Sequence, residues 1–145
     1  MRQFANPAVV LGLALMLVSC DATLAPYRET DHDRVGAGMR DLEQGLRSQN
    51  WSRVERFFSA ETYGGSGEIR NRIEDGWRNQ RLLQLQFIVN RVLERDGLLN
   101  AQVRWNKSWV DAAGKPQKKS GVSEFILRPQ GESFHILSVA GDALF

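Results

Sequence analysis

The chain holds a single cysteine, Cys20, so no disulfide can form within it and its fold must be held by a core alone. It has two histidines, His32 and His135, neither with a Cys, Asp or Glu partner at a ligand spacing, and a metal site is unsupported. Charge of one sign is not in excess: 19 Lys and Arg against 17 Asp and Glu leave a formal +2. A nucleic-acid partner, which calls for a concentrated basic surface, is excluded on that balance. No Ser or Cys nucleophile motif is present. The glycine-rich "YGGSG" from Tyr63 to Gly67 lacks the preceding strand and the lysine of a phosphate loop, so no cofactor is implied. Repeats and low-complexity tracts are absent too, and 42% hydrophobic with 25% charged residues is the balance of a globular domain.

Long hydrophobic runs are also missing. The longest, Ala8–Val18, is apolar throughout. As a helix it reaches about 16 Å, roughly half the hydrocarbon thickness of a bilayer. Arg2 puts a positive charge before it and Leu17-Val18-Ser19-Cys20 closes it, the arrangement of a targeting segment. The four closing residues resemble the lipobox of bacterial lipoproteins. That resemblance implies cleavage before Cys20 and a diacylglycerol thioether on its sulfur, and so a protein anchored to a cell-envelope membrane and facing the periplasm. Asp21 resembles an inner-membrane retention signal, with the outer membrane as the alternative. The expected organisation is a leader over 1–19, a lipidated Cys20 and tether over 20–30, and one domain over 31–145.

From Asp31 the period is helical: Val35, Met39, Leu42 and Leu46 recur at four, three and four. Gly36, Gly38 and Gly45 within this stretch each cost about 1 kcal/mol relative to Ala, a cost that close approach to another element could offset. Asn50 is placed to cap a short second helix carrying Trp51, Val54, Phe57 and Phe58. A third helix is expected over about Ser66–Arg78, with Ser66 as its cap and Ile69, Ile73 and Trp77 on one side.

After Asn79 the period becomes two. Leu83, Leu85, Phe87 and Val89 fall on one face of a strand, against Gln84 and Gln86. Asp96-Gly97 signals a hairpin. The next strand sets Leu99, Ala101, Val103, Trp105 and Trp109 against Gln102, Arg104, Asn106 and Ser108. A turn over "DAAGKPQKK", a third strand ended by Pro129 and a fourth over "SFHILSVAG" complete an antiparallel meander. Helices in a run followed by strands in a run predict an α+β fold, three helices on a curved antiparallel sheet.

The helix–short helix start, a third helix with a Trp before the first long strand, the "VRW" strand, and Phe134, Ile136, Gly141, Asp142 and Phe145 at the end resemble the nuclear transport factor 2-like superfamily. This superfamily includes ketosteroid-isomerase-like and polyketide-cyclase-like groups. The resemblance implies a cone whose mouth holds a small apolar ligand, and a convex sheet face through which many members form homodimers. The fold leaves function open.

An enzyme on this fold needs an acid or base inside the cone. The candidates are His135, which alternates with Phe134 and Ile136, and Asp142, which follows Gly141, where a turn or capping role is the ordinary reading. No acid–base pair can be placed. Trp77, Phe87, Trp105, Trp109 and Phe125, with Tyr63 at the mouth, suit either a pocket lining or a core. Arg40, Arg47, Arg53, Arg56, Arg70 and Arg72 suit an exposed face. The expectation is a membrane-anchored domain that binds a small apolar ligand or an envelope protein. A small isomerase- or dehydratase-like enzyme is the alternative.

Overall fold

The structure, a computed structural model, describes residues 29–62 and 65–144. The expected leader, Cys20, residues 20–28 of the tether, Tyr63 and Phe145 lie outside the described residues.

Helix α1 spans Glu29–Arg47 and begins two residues before the start read from periodicity. Its stripe of Val35, Met39, Leu42 and Leu46 is buried. Gly38 sits on this helix because a side chain does not fit: a Cβ there would lie 2.3 Å from the Phe134 ring. Close packing of helix on sheet thus offsets the helical cost of glycine at this position.

Helix α2, Trp51–Val54, is capped by Asn50, whose side chain accepts the Arg53 N–H at 3.1 Å. It tightens into a 3-10 turn over Glu55–Phe57, burying Val54 and Phe57, while Trp51 stays half-buried beneath the Arg70 guanidinium. Phe58 then bridges to Ile136 in parallel. Thr62 locks this segment down by donating its hydroxyl to the Ile136 carbonyl at 2.7 Å. Helix α3, Gly65–Asn79, starts before Ser66, which therefore lies within the helix instead of capping it. A turn closed by the Gly65 N–H on the Thr62 carbonyl leads straight in.

Four antiparallel strands follow in the order β1-β2-β3-β4: Gln80–Arg95, Leu98–Asp111, Pro116–Gln130 and Ser133–Gly141. In β1 the inward positions are Gln80 and Leu82, then Leu85, Phe87 and Val89, then Val92. Each change of parity coincides with a break in register against β2, between Leu82 and Gln84 and between Val89 and Arg91. Leu83, expected on the buried face, is instead 48% exposed, because the first bulge turns it outward.

The third strand is longer at both ends than expected. Asp111 completes the second turn by accepting the N–H groups of Ala113 and Lys115 at 3.0 and 2.8 Å, so pairing resumes at Pro116 and "PQKK" is strand. Pro129 lies within the strand and pairs with Phe134. Beyond Leu127 this strand has only β4 beside it, and a missing donor there disturbs at most one ladder.

The concave sheet face packs on α1 and the 3-10 turn. Trp105, Phe125, Phe134, Phe57, Leu99, Leu127 and Ile136 form its centre, all essentially without solvent contact. Among the described residues no helix is long and apolar enough to cross a membrane.

Candidate functional site

Helix α3 passes into β1 without a loop, Asn79 being its last residue and Gln80 the first of the strand. The last turn of α3 therefore stands over the start of β1, and a cavity of about 270 Å³ lies between them. Its walls are apolar: Leu46 from α1, Ile73 and Trp77 from α3, Leu82 and Leu85 from β1, and Leu144 from the C-terminal segment. Polar groups also line it, Arg72, Asp75, Asn79, Gln80 and Lys107 among them; the Lys107 ammonium donates to Gln80 Oε1 at 2.8 Å. An apolar pocket with a few convergent polar groups is the usual form of a small-molecule site.

Lys107 is the residue that the sequence pattern missed. It stands 5.0 Å above the Trp109 ring and is paired across the sheet with Lys119. Burial, with the Lys119 charge as a second cause, holds its ammonium below the ordinary lysine value of 10.5. The signal was available: Lys107 shares the parity of Val103, Trp105 and Trp109, so the alternation points it inward like its neighbours.

A second cleft, of about 260 Å³, adjoins the first and shares Arg72 and Leu144 with it. Leu144, 6% exposed, thus stands between the two. Asp142 lines this second cleft, but its carboxylate is engaged, accepting the Val122 N–H at 2.8 Å. Its carbonyl accepts from Ser123 Oγ at 2.8 Å, and that same oxygen accepts the Trp105 indole N–H at 2.9 Å. Asp142 therefore fastens the C-terminal segment to β3 and satisfies the buried indole through Ser123.

The sequence candidates are dispersed by the fold. Trp77 lines the cavity and Trp109 underlies Lys107. Phe87, Trp105 and Phe125 are core, and Trp105 is held against Gly121, where a Cβ would meet its ring at 2.6 Å. His135 is half-buried on β4 and lines a different, open groove beside Asp41 and Arg56. His32 bonds the Val89 carbonyl through Nε2 at 3.1 Å. Among the described residues no three His, Cys, Asp or Glu side chains gather as a metal site.

Most arginines expected on an exposed face are tied to acids: Arg53 and Arg56 to Asp41, Arg70 to Glu74, Arg72 to Glu68, Arg47 to Glu43. Exposed pairs of this kind contribute little to stability.

No protein-family model matches the chain, and no curated protein matches it. Solved structures do. A conserved protein from Planctomyces limnophilus superposes with a TM-score of 0.67 at 9% identity, over 79% of this chain and 100% of its own. A ketosteroid isomerase-like protein from Erwinia carotovora atroseptica gives 0.65 at 9% identity, over 81% and 99%. A nuclear transport factor 2-like superfamily protein from Salmonella enterica serovar Typhimurium gives 0.64 at 13% identity, over 79% and 91%. At these identities the likeness speaks for architecture alone. Helices packed on a four-stranded curved antiparallel meander, superposing on these neighbours over nearly their whole lengths, give the chain the nuclear transport factor 2-like α+β cone fold.

Proposed function

We propose that this protein is a lipid-anchored envelope lipoprotein whose cone domain binds a small apolar ligand without transforming it. The observation that carries the binding reading is the cavity between α3 and β1, walled by Leu46, Ile73, Trp77, Leu82, Leu85 and Leu144. The non-catalytic reading is supported by the charged groups around it. Of its titratable lining residues, Asp75 pairs with Arg78 and Arg72 with Glu68, which leaves Lys107 without the partner an acid–base pair requires among the described residues. The isomerase-like alternative needs His135 or Asp142 in the cavity; His135 lines another groove, and Asp142 is bonded to Val122.

The anchoring reading is supported by the lipobox at Leu17–Cys20, with Asp21 favouring the inner membrane over the outer. An envelope protein as the bound partner, and a homodimer through the convex face, are outcomes the same preparation would reveal. Native mass spectrometry after mild extraction tests the binding reading: a retained small molecule supports it, and a reproducibly empty protein counts against it. Labelled palmitate should enter the wild type and not Cys20→Ala. Label retained in the variant would overturn the anchor.

A further inference from the structure

Resting on the ligand-binding reading above, we propose that the cavity beside α3 takes a small amphipathic carboxylate. The carboxylate lies on Lys107 Nζ, and the apolar body lies against Ile73, Trp77, Leu82 and Leu85.

Four observations converge on Lys107. The first is direction: it occupies an inward position of β2 between two tryptophans and lines the cavity together with Leu82 and Leu85. The second is unused hydrogen-bonding capacity. An ammonium has three donors, and Gln80 Oε1 takes one. Among the described residues no carboxylate lies within ion-pair distance of it, whereas the other charges at the cavity, Arg72 and Asp75, each have an opposite partner. The third is like charge: Lys107 and Lys119 face each other directly across β2 and β3. Such a cross-strand pair is destabilising on its own, and a bound anion would relieve it. Lys119 is turned toward the other side of this region, donating to the Ala143 carbonyl at 2.9 Å.

The fourth is that burial already disfavours the Lys107 charge, so its ammonium is held at a cost that a partner of opposite sign would remove. Arg72 at the cavity is paired with Glu68, so the site offers one uncompensated point charge, Lys107, which matches a monoanionic carboxylate better than a doubly charged phosphate. The apolar walls supply affinity for the ligand's body, and the single lysine supplies its orientation.

The test is calorimetric titration of the full chain in lipid nanodiscs at pH 7, with empty discs as the blank. The probes are 4-phenylbutyrate and its neutral amide, which share one apolar body. The carboxylate should bind about tenfold more tightly than the amide, the increment of one partly buried charge-assisted hydrogen bond. Lys107→Met should bring the carboxylate down to the amide's affinity and leave the amide unchanged, while Lys107→Arg should keep most of the preference. In the wild type, which needs no variant to fold, the preference should fade with rising pH before the ordinary lysine value of 10.5 is reached. Equal affinities in the wild type, or a preference that survives Lys107→Met, would overturn the proposal while leaving the cavity a binding site. If neither probe binds, the ligand-binding reading falls as well.

Discussion

Two tryptophans of this domain stand in opposite circumstances. Trp105, on β2, has no solvent contact; its indole N–H is bonded to Ser123, and its ring lies against the bare Gly121. Trp77, on the last turn of α3, is half-buried with one side open to the cavity. The difference comes from what each lies beneath. Trp105 stands between Phe87 on β1 and Gly121 on β3, and its ring, bonded through Ser123 to the C-terminal segment, takes the space that a side chain at Gly121 would fill. Over the start of β1, α3 runs directly into the strand and, with Leu46 of α1 and Leu144, leaves the cavity beside Trp77. Trp105 and Lys107, two residues apart on β2, thus mark the boundary between a close-packed core and a space that a ligand can fill.

Breaking the packed core should cost most. Trp105→Ala is expected to lose about 3–5 kcal/mol of stability, the usual penalty for removing a large buried aromatic, read by urea denaturation. Trp77→Ala should lose much less, about 1 kcal/mol, while abolishing binding of apolar probes. Equal losses for the two would erase the distinction between core and cavity wall. Gly38→Ala comes between them: the added methyl drives into the Phe134 ring, and overpacking of this kind costs about 1–3 kcal/mol. Gly36 on the same helix meets only the Arg40 side chain at 3.5 Å, so Gly36→Ala should be neutral or stabilising.

The smallest effect belongs to the hairpin beyond the cavity. Hydrogen bonds from the Lys115 N–H and the Gln117 side chain hold the Asp111 carboxyl below its ordinary value. Because its folded pKa is depressed, Asp111 binds fewer protons folded than unfolded in the acid range. Its contribution to stability is complete above the ordinary aspartate value and is lost as pH falls through the folded one. Asp111→Asn should therefore lose a little stability at neutral pH and little at the acid extreme, flattening the acid limb of the stability profile slightly. An unaltered acid limb would show that the turn does not depend on the charge.

Much of this architecture was legible from residue order. The stripe Val35, Met39, Leu42 and Leu46, the cap at Asn50 and the order of four strands follow from periodicity and local hydrogen bonding, which act over a few residues. Leu83 was not legible, because a bulge reverses parity without changing the residues on either side of it. The site was legible only in part. Trp77 was a candidate, but so were Trp105 and Phe125, and nothing in the chain separates a tryptophan beside a cavity from one inside a core. Lys107 passed unnoticed although its parity pointed inward, because a lysine in a strand is ordinarily read as a solvated residue.

By itself, the sequence determined the elements, their order and the face that each buries, because backbone hydrogen bonding and hydrophobic alternation are local rules. It also carries the consecutive residues Leu17-Val18-Ser19-Cys20 on which the proposed anchor rests. Tertiary structure decided which aromatic is wall and which is core, and that Lys107 faces a cavity instead of water. Those outcomes depend on how far the sheet curls and where α3 comes to rest over it, and both are set by packing among residues distant in the chain.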